Sequence, residues 1–215
     1  MTLALVEVAR NIRSVMGNRF MNNNINFLFE IGTMRNVPRA WRQHLGLDCA
    51  SVHEHSYRVI WLALMLARME GGVDENKVMR MALIHDISEI RTSDLGYIQK
   101  VYTKADDNQA AHDSLAQTIL ADFYTDTFKE YEERKSLEAK IVKDADNLDI
   151  DLELKELEER GSKLPAKFQE FRKLVRNEKL YTQSAKKVWD EIQATDVSDW
   201  HLKANKWIKM PETGR

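Results

Sequence analysis

The chain has 215 residues, 43% hydrophobic and 31% charged, with a formal net charge of -2. This is enough apolar material for a substantial core, and it excludes a disordered chain. The charge balance offers no basic field to a nucleic acid polymer or an anionic membrane, while leaving a small anion open to capture by a metal ion.

The first residues, "MTLALVEVAR", carry no basic leader and meet Glu7 early, so no secretory signal is expected. Eight glycines, three prolines and the lack of alternating apolar runs predict an all-α fold. With no repeat or low-complexity linker, a single domain over 1–215 is expected. Helices are predicted near 3–16 and 21–31. The stretch "IGTMRNVPRAWRQHLGLDCA" then reads as a loop. Cys49 within it is the only cysteine, which rules out an internal disulfide and a zinc-finger site and favours a cytoplasmic setting. Ser51 and Glu54 form an S-x-x-E capping box that starts a helix running to about Met69, where Gly71-Gly72 end it. Its apolar run "VIWLALMLA", 59–67, is too short to span a bilayer.

Asp74 is a suitable N-cap for a helix over about 75–90. Further helices are predicted near 108–124, 129–160, 165–176, 182–194 and 198–208. Trp200, Leu202, Trp207 and Ile208 in the last suggest a packing or dimer helix. Within 136–161, Ile141, Val142, Ala145, Leu148 and Leu152 share one face, and Ile150, Leu154 and Leu157 lie opposite. A helix apolar on two sides is sandwiched between others. The same segment carries Asp144, Asp146, Asp149 and Asp151. At least one must point inward, and a buried carboxylate needs a partner.

The chemistry concentrates in "ALIHDISEIRTSDL", 82–95. On a helical wheel Asp86 and Glu89 project into the same sector as His85, surrounded by the apolar Met81, Ala82 and Ile84. An adjacent His-Asp pair can ligate one ion, and Glu89 stands one turn along to handle protons. His55, just after the Ser51 cap, offers a second imidazole from the preceding helix. A third helix can add an aspartate, and the wheel alone leaves Asp146 and Asp149 both open. A lone buried histidine is more often a satisfied core residue than a ligand, so the weight rests on the combination.

"SVHEHSYRV", "ALIHDISEIRTSDL" and "KIVKDADNLD" together resemble the three motifs of the HD-domain metal-dependent phosphohydrolases. The S-E…D-L continuation is most similar to the 5'-deoxynucleotidases of the bacterial type and their eukaryotic relatives, and "MRNVPR" resembles the stretch that precedes their first ligand. The resemblance covers about 25–155 and implies an HD-type helical bundle with its metal site between central helices, on which helices over 156–210 would pack. It implies His55, His85, Asp86 and Asp146 as metal ligands, Glu89 in proton transfer, and Asp94 positioning the attacking water or the leaving sugar oxygen. Two imidazoles and two carboxylates suit one Mn, Co, Ni, Fe or Zn ion. Arg35 or Lys143 would add a cation beside the phosphate.

The implied activity is hydrolysis of (deoxy)nucleoside 5'-monophosphates through a metal-activated water. The same scaffold also serves hydrolases of cyclic nucleotides or (p)ppGpp, and a non-catalytic nucleotide-binding module is the third reading. A homodimer is implied by the relatives. The chain departs from the nucleotidase pattern where those enzymes carry an Arg-Trp pair. Here "FEIGT" stands there, and the segment 37–50 is longer and holds Trp41, Arg42 and His44, so phosphate or base recognition is expected to move onto Arg35, Arg39 or Arg42.

Overall fold

The computed structural model describes residues 21–46, 49–204 and 207, and every regular element among them is helical. The helix expected over 3–16 lies outside these residues, as does Ile208. Helix α1 covers 21–32. A 3₁₀ turn, Thr33–Asn36, and the single-turn helix α2 (Arg42–Leu45) break up the expected loop. An isolated antiparallel bridge between Pro38 and Ser51 closes it.

Helix α3 (Val52–Glu70) begins at the expected capping box. Ser51 Oγ accepts from the Glu54 backbone N–H at 3.3 Å, and Glu54 Oε2 accepts from the Ser51 N–H at 2.7 Å. Helix α4 (Glu75–Ile84) is capped by Asp74 Oδ1, which accepts from the N–H groups of Asn76 and Lys77. It stops at Ile84 instead of running to 90. From there the ladder tightens to i→i+3 spacing, with Ile87 N–H donating to the Ile84 carbonyl and Glu89 N–H to the Asp86 carbonyl, both at 3.0 Å. Helix α5 (Glu89–Thr92) resumes after this turn, followed by α6 (Gln99–Tyr102) and α7 (Asp107–Leu115).

The helix expected over 108–124 ends at Leu115, and a π-helical turn over Phe123–Phe128 leads into α8 (Lys129–Glu133). The helix expected over 129–160 is two. Arg134 takes a left-handed φ of 54°, and Ser136 then caps α9 (Leu137–Glu159). Helices α10 (Leu164–Glu178), α11 (Gln183–Ala194) and α12 (Asp199–Lys203) complete the order.

Helix α9 is sandwiched, as its two apolar sides require. It packs against α3, α4, α8, α10 and α11. Ile141, Val142, Ala145 and Leu148 enter one core with Val59 and Leu66 of α3, Met81 of α4 and Trp189 of α11. Each large side chain buried there contributes about 1.5–3 kcal/mol. A second cluster joins Phe27, Ile84, Ile87, Leu115 and Phe128 around the turn that carries His85 and Asp86.

Two of the α9 aspartates tie the later helices down. Asp144 accepts from the Tyr181 and Thr182 N–H groups and the Thr182 hydroxyl, all at 2.8 Å, at the start of α11. Asp151 takes a two-pronged bond from Arg172 of α10 at 2.9 and 2.6 Å. Asp149 and Asp146 are left to face α3 and the cleft. Among the described residues no helix is long and apolar enough to cross a membrane.

Candidate metal centre

His55 comes from the first turn of α3, His85 and Asp86 from the turn after α4, and Asp146 from the middle of α9. The His55 and His85 Nε2 atoms are 3.4 Å apart. Asp86 Oδ2 stands 3.3 Å from His55 Nε2 and 3.1 Å from His85 Nε2. Asp146 Oδ1 stands 3.3 Å from His55 Nε2. Three elements thus bring the two imidazoles and the Asp86 carboxylate within reach of one ion, and Asp146 joins them at His55 Nε2.

The other nitrogens explain the aim. His85 Nδ1 lies 2.8 Å from the Ala82 carbonyl, which can only accept, so the proton sits on Nδ1. His55 Nδ1 lies 2.6 Å from Asp149 Oδ2, which fixes its proton likewise. Both Nε2 lone pairs then face each other across 3.4 Å, and Asp86 Oδ2 is buried beside them with no hydrogen-bond partner. Lone pairs and carboxylates gathered this closely repel unless a cation lies among them, so the donor set fits a divalent ion. Burial and Arg39 oppose a charge on His55, yet Asp146, Asp149 and Asp86 outweigh them and hold its pKa well above the usual value. Burial likewise opposes ionisation of Asp86, and His85 and His55 override it, keeping that carboxyl far below the carboxylate range. The site favours positive charge at its centre, a proton on His55 Nε2 that a bound divalent ion would replace.

His85, Asp86 and Asp146 open on a cavity of about 430 Å³ also lined by Glu89, Asp94, Lys143 and Arg39. Glu89 Oε2 is buried without a partner. Burial and the carboxylates of Asp86 and Asp94 push the Glu89 pKa up to about 10. Asp94 Oδ2 accepts from the Ala40 N–H at 2.9 Å and lies 3.4 Å from the Arg39 guanidinium. Lys143 Nζ bonds Asp146 Oδ2 at 2.6 Å, and that carboxylate raises its pKa.

Of the expected residues, Arg35 and Arg42 are not brought to the cleft. Arg35 sits exposed on the 3₁₀ turn, and neither lines the cavity. The pairing of Pro38 with Ser51 turns the chain so that the buried Arg39 enters in their place. Glu30 of "FEIGT" is held by Arg91 in a surface ion pair. His53 is exposed. Sequence reasoning missed Tyr131, whose buried ring meets His85 edge-on at a centroid distance of 6.1 Å. It also missed the role of Asp149, which Arg58 clamps from the far side. For Asp149 the signal existed, as the rival carboxylate one turn along α9. His44, without a motif of its own, lines the cavity.

A helical bundle with histidines and aspartates converging between its central helices is the arrangement of one known family. The HD domain profile matches residues 31–193, and the chain belongs to that family. It is 30% identical over 159 residues to 5'-deoxynucleotidase HDDC2 of Danio rerio, covering 70% of this chain and 77% of that protein. The Homo sapiens protein of the same name is 27% identical over 153 residues, covering 68% and 74%. Among solved structures, a conserved hypothetical protein from Pyrococcus furiosus superposes with a TM-score of 0.62 at 28% identity, over 80% of this chain and 99% of that one. A protein from Magnetospirillum magnetotacticum described as a predicted metal-dependent phosphohydrolase shares the fold at a TM-score of 0.61 and 21% identity, over 81% and 91%.

Proposed function

We propose that this chain hydrolyses deoxynucleoside 5'-monophosphates to deoxynucleoside and phosphate, using one divalent ion held by His55, His85, Asp86 and Asp146. The observation that carries this is the cluster of His55 Nε2, His85 Nε2 and Asp86 Oδ2, 3.1–3.4 Å apart, with Asp146 Oδ1 3.3 Å from His55 Nε2, beside a buried carboxyl and two cations. The 5'-deoxynucleotidase relatives support the substrate class. The donor set suits Mn, Co, Ni, Fe or Zn.

When bound, the ion supplies charge neutralisation at the phosphoryl group and acidifies water. The rest falls to the side chains. Arg39 and Lys143 both line the cleft, where each can take a phosphate oxygen. Glu89 is the proton carrier: its buried Oε2 faces the cleft without a fixed partner, so it can hold a proton and release it to a leaving oxygen. Asp94, pinned by the Ala40 N–H and Arg39, is a rigid acceptor for a water or a sugar hydroxyl. The burial of His55 and Asp149 keeps bulk water from the rear of the centre.

The reading extends to a single domain over 1–215, a cytoplasmic setting and a homodimer. An exposed stripe on α3, Tyr57, Trp61 and Met65, and the exposed Trp200 offer surface for that contact.

The test is phosphate release by metal-stripped protein resupplied with Mn²⁺, Co²⁺, Ni²⁺, Zn²⁺ or Mg²⁺. Deoxynucleoside 5'-monophosphates, ribonucleotides, cAMP and ppGpp are offered in parallel. Release from the deoxynucleotides is expected. Hydrolysis of cAMP or ppGpp alone would move the chemistry to a different bond and overturn the reading.

A further inference from the structure

One end of the metal cavity is an aromatic shelf. Trp41, His44 and Tyr97 all line the same cavity as Asp86 and Glu89. His44 and Tyr97 stack at 5.9 Å with an interplanar angle of 19°, and Trp41 meets Tyr97 at 6.2 Å. Phe168 of α10 backs Trp41 edge-on at 5.4 Å. Tyr97 remains 56% exposed and Trp41 and His44 are half-buried, so part of each ring stays accessible.

The shelf is fastened directly to the reactive end of the site. Trp41 follows Arg39 by two residues, and Tyr97 follows Asp94 by three. The two segments are tied by the Ala40 N–H bond to Asp94 and by a side-chain bond between Gln99 and Gln43. They also close tightly at Gly96, where an added Cβ would lie 3.2 Å from Ala40 Cβ and 2.7 Å from Gln99 Oε1. A side chain there would displace the Gln99 carboxamide and press on Ala40.

We infer that Trp41, His44 and Tyr97 form the base-binding subsite, stacking on the nucleobase while Arg39 and Lys143 take the phosphate. The inference rests on the nucleotidase reading and deepens it. Stacking on an aromatic face is tolerant of base identity, because every base has a π-face. The shelf therefore selects nucleotides over smaller phosphomonoesters without separating one base sharply from another.

The test compares dAMP with 2-deoxyribose 5-phosphate, which keeps the sugar and phosphate and lacks the base. Both are titrated calorimetrically into the Mn²⁺-loaded Glu89→Gln chain, which slows turnover during the measurement. dAMP is expected to bind about tenfold or more tighter than the abasic compound, and Trp41→Ala to cut that ratio to about threefold or less. Tyr97→Ala, at an exposed ring on the other segment, is expected to cut it in the same direction and covers the case in which Trp41→Ala does not fold. An unchanged ratio in the variants would overturn the inference. So would a parallel loss for both ligands, which would mean that Trp41 acts only by holding Arg39 and Asp94 in place. Failure of the unsubstituted chain to release phosphate from any deoxynucleotide is a separate result. It would overturn the nucleotidase reading, and the shelf's assignment with it.

Discussion

The imidazole of His55 has two nitrogens with different duties, and Asp149 assigns them. By accepting a hydrogen bond from Nδ1–H at 2.6 Å, it leaves Nε2 free to face Asp86 and Asp146. Asp149→Asn is expected to weaken divalent-ion affinity about 10–100-fold with the fold kept, measured by titration of Co²⁺ into stripped protein. Glu89→Gln is expected to retain the ion, as metal analysis will show, and to lower kcat about 10²–10⁴-fold. Loss of the ion in that variant would make Glu89 a ligand. An adjacent His-Asp pair is weak by itself, and the candidate ligands stood out through the three motifs together, of which the structure groups His55, His85 and Asp86. Asp146 and Asp149 could not be told apart by periodicity, since three residues on a helix leave both on one side. Arg39 was not legible over Arg35, because what aims it is the pairing of Pro38 with Ser51, a contact between distant parts of the loop.

At the scale of elements, side-chain caps and buried pairs decide where helices start and how they lie. The Ser51–Glu54 box and the Asp74 cap stand where the sequence places them, because both are local chemistry. The break at Arg134 is not announced by helix propensity. "KEYEERKS" favours helix throughout, and the left-handed turn is held by the Arg134 guanidinium packed 3.3 Å over the Tyr131 ring. The early end of α4 has a similar origin, with His85 Nδ1 occupying the Ala82 carbonyl and the following bonds tightening. Two predictions belong here. Glu54→Ala should cost about 0.5–2 kcal/mol by opening the capping box, read as a lower denaturation midpoint. Arg172→Ala should cost about 3–5 kcal/mol, because it strands the buried Asp151 carboxylate. Changing Asp151 and Arg172 together to apolar residues of similar volume should recover much of that loss. A loss of less than about 1 kcal/mol on Arg172→Ala would show that the pair does not fix α10 against α9.

The whole molecule is a bundle built around a concentration of negative charge. Asp86, Glu89, Asp94 and Asp146 share one cavity with Arg39 and Lys143, and burial, followed by the neighbouring carboxylates, raises the Glu89 pKa to about 10. A divalent ion that binds only the folded chain relieves this and adds stability by mass action, about 2.7 kcal/mol at a hundredfold excess over Kd. Chelation should therefore lower Tm by several degrees. The most direct test of the central claim is Co²⁺ titration, by calorimetry and visible absorption, of the stripped chain and of Asp146→Ala. The account predicts one Co²⁺ per chain in the unaltered protein. For Asp146→Ala it predicts a large loss of affinity, a changed ligand-field spectrum and no phosphate release. An Asp146→Ala chain that binds one Co²⁺ with unchanged affinity, spectrum and activity would contradict it.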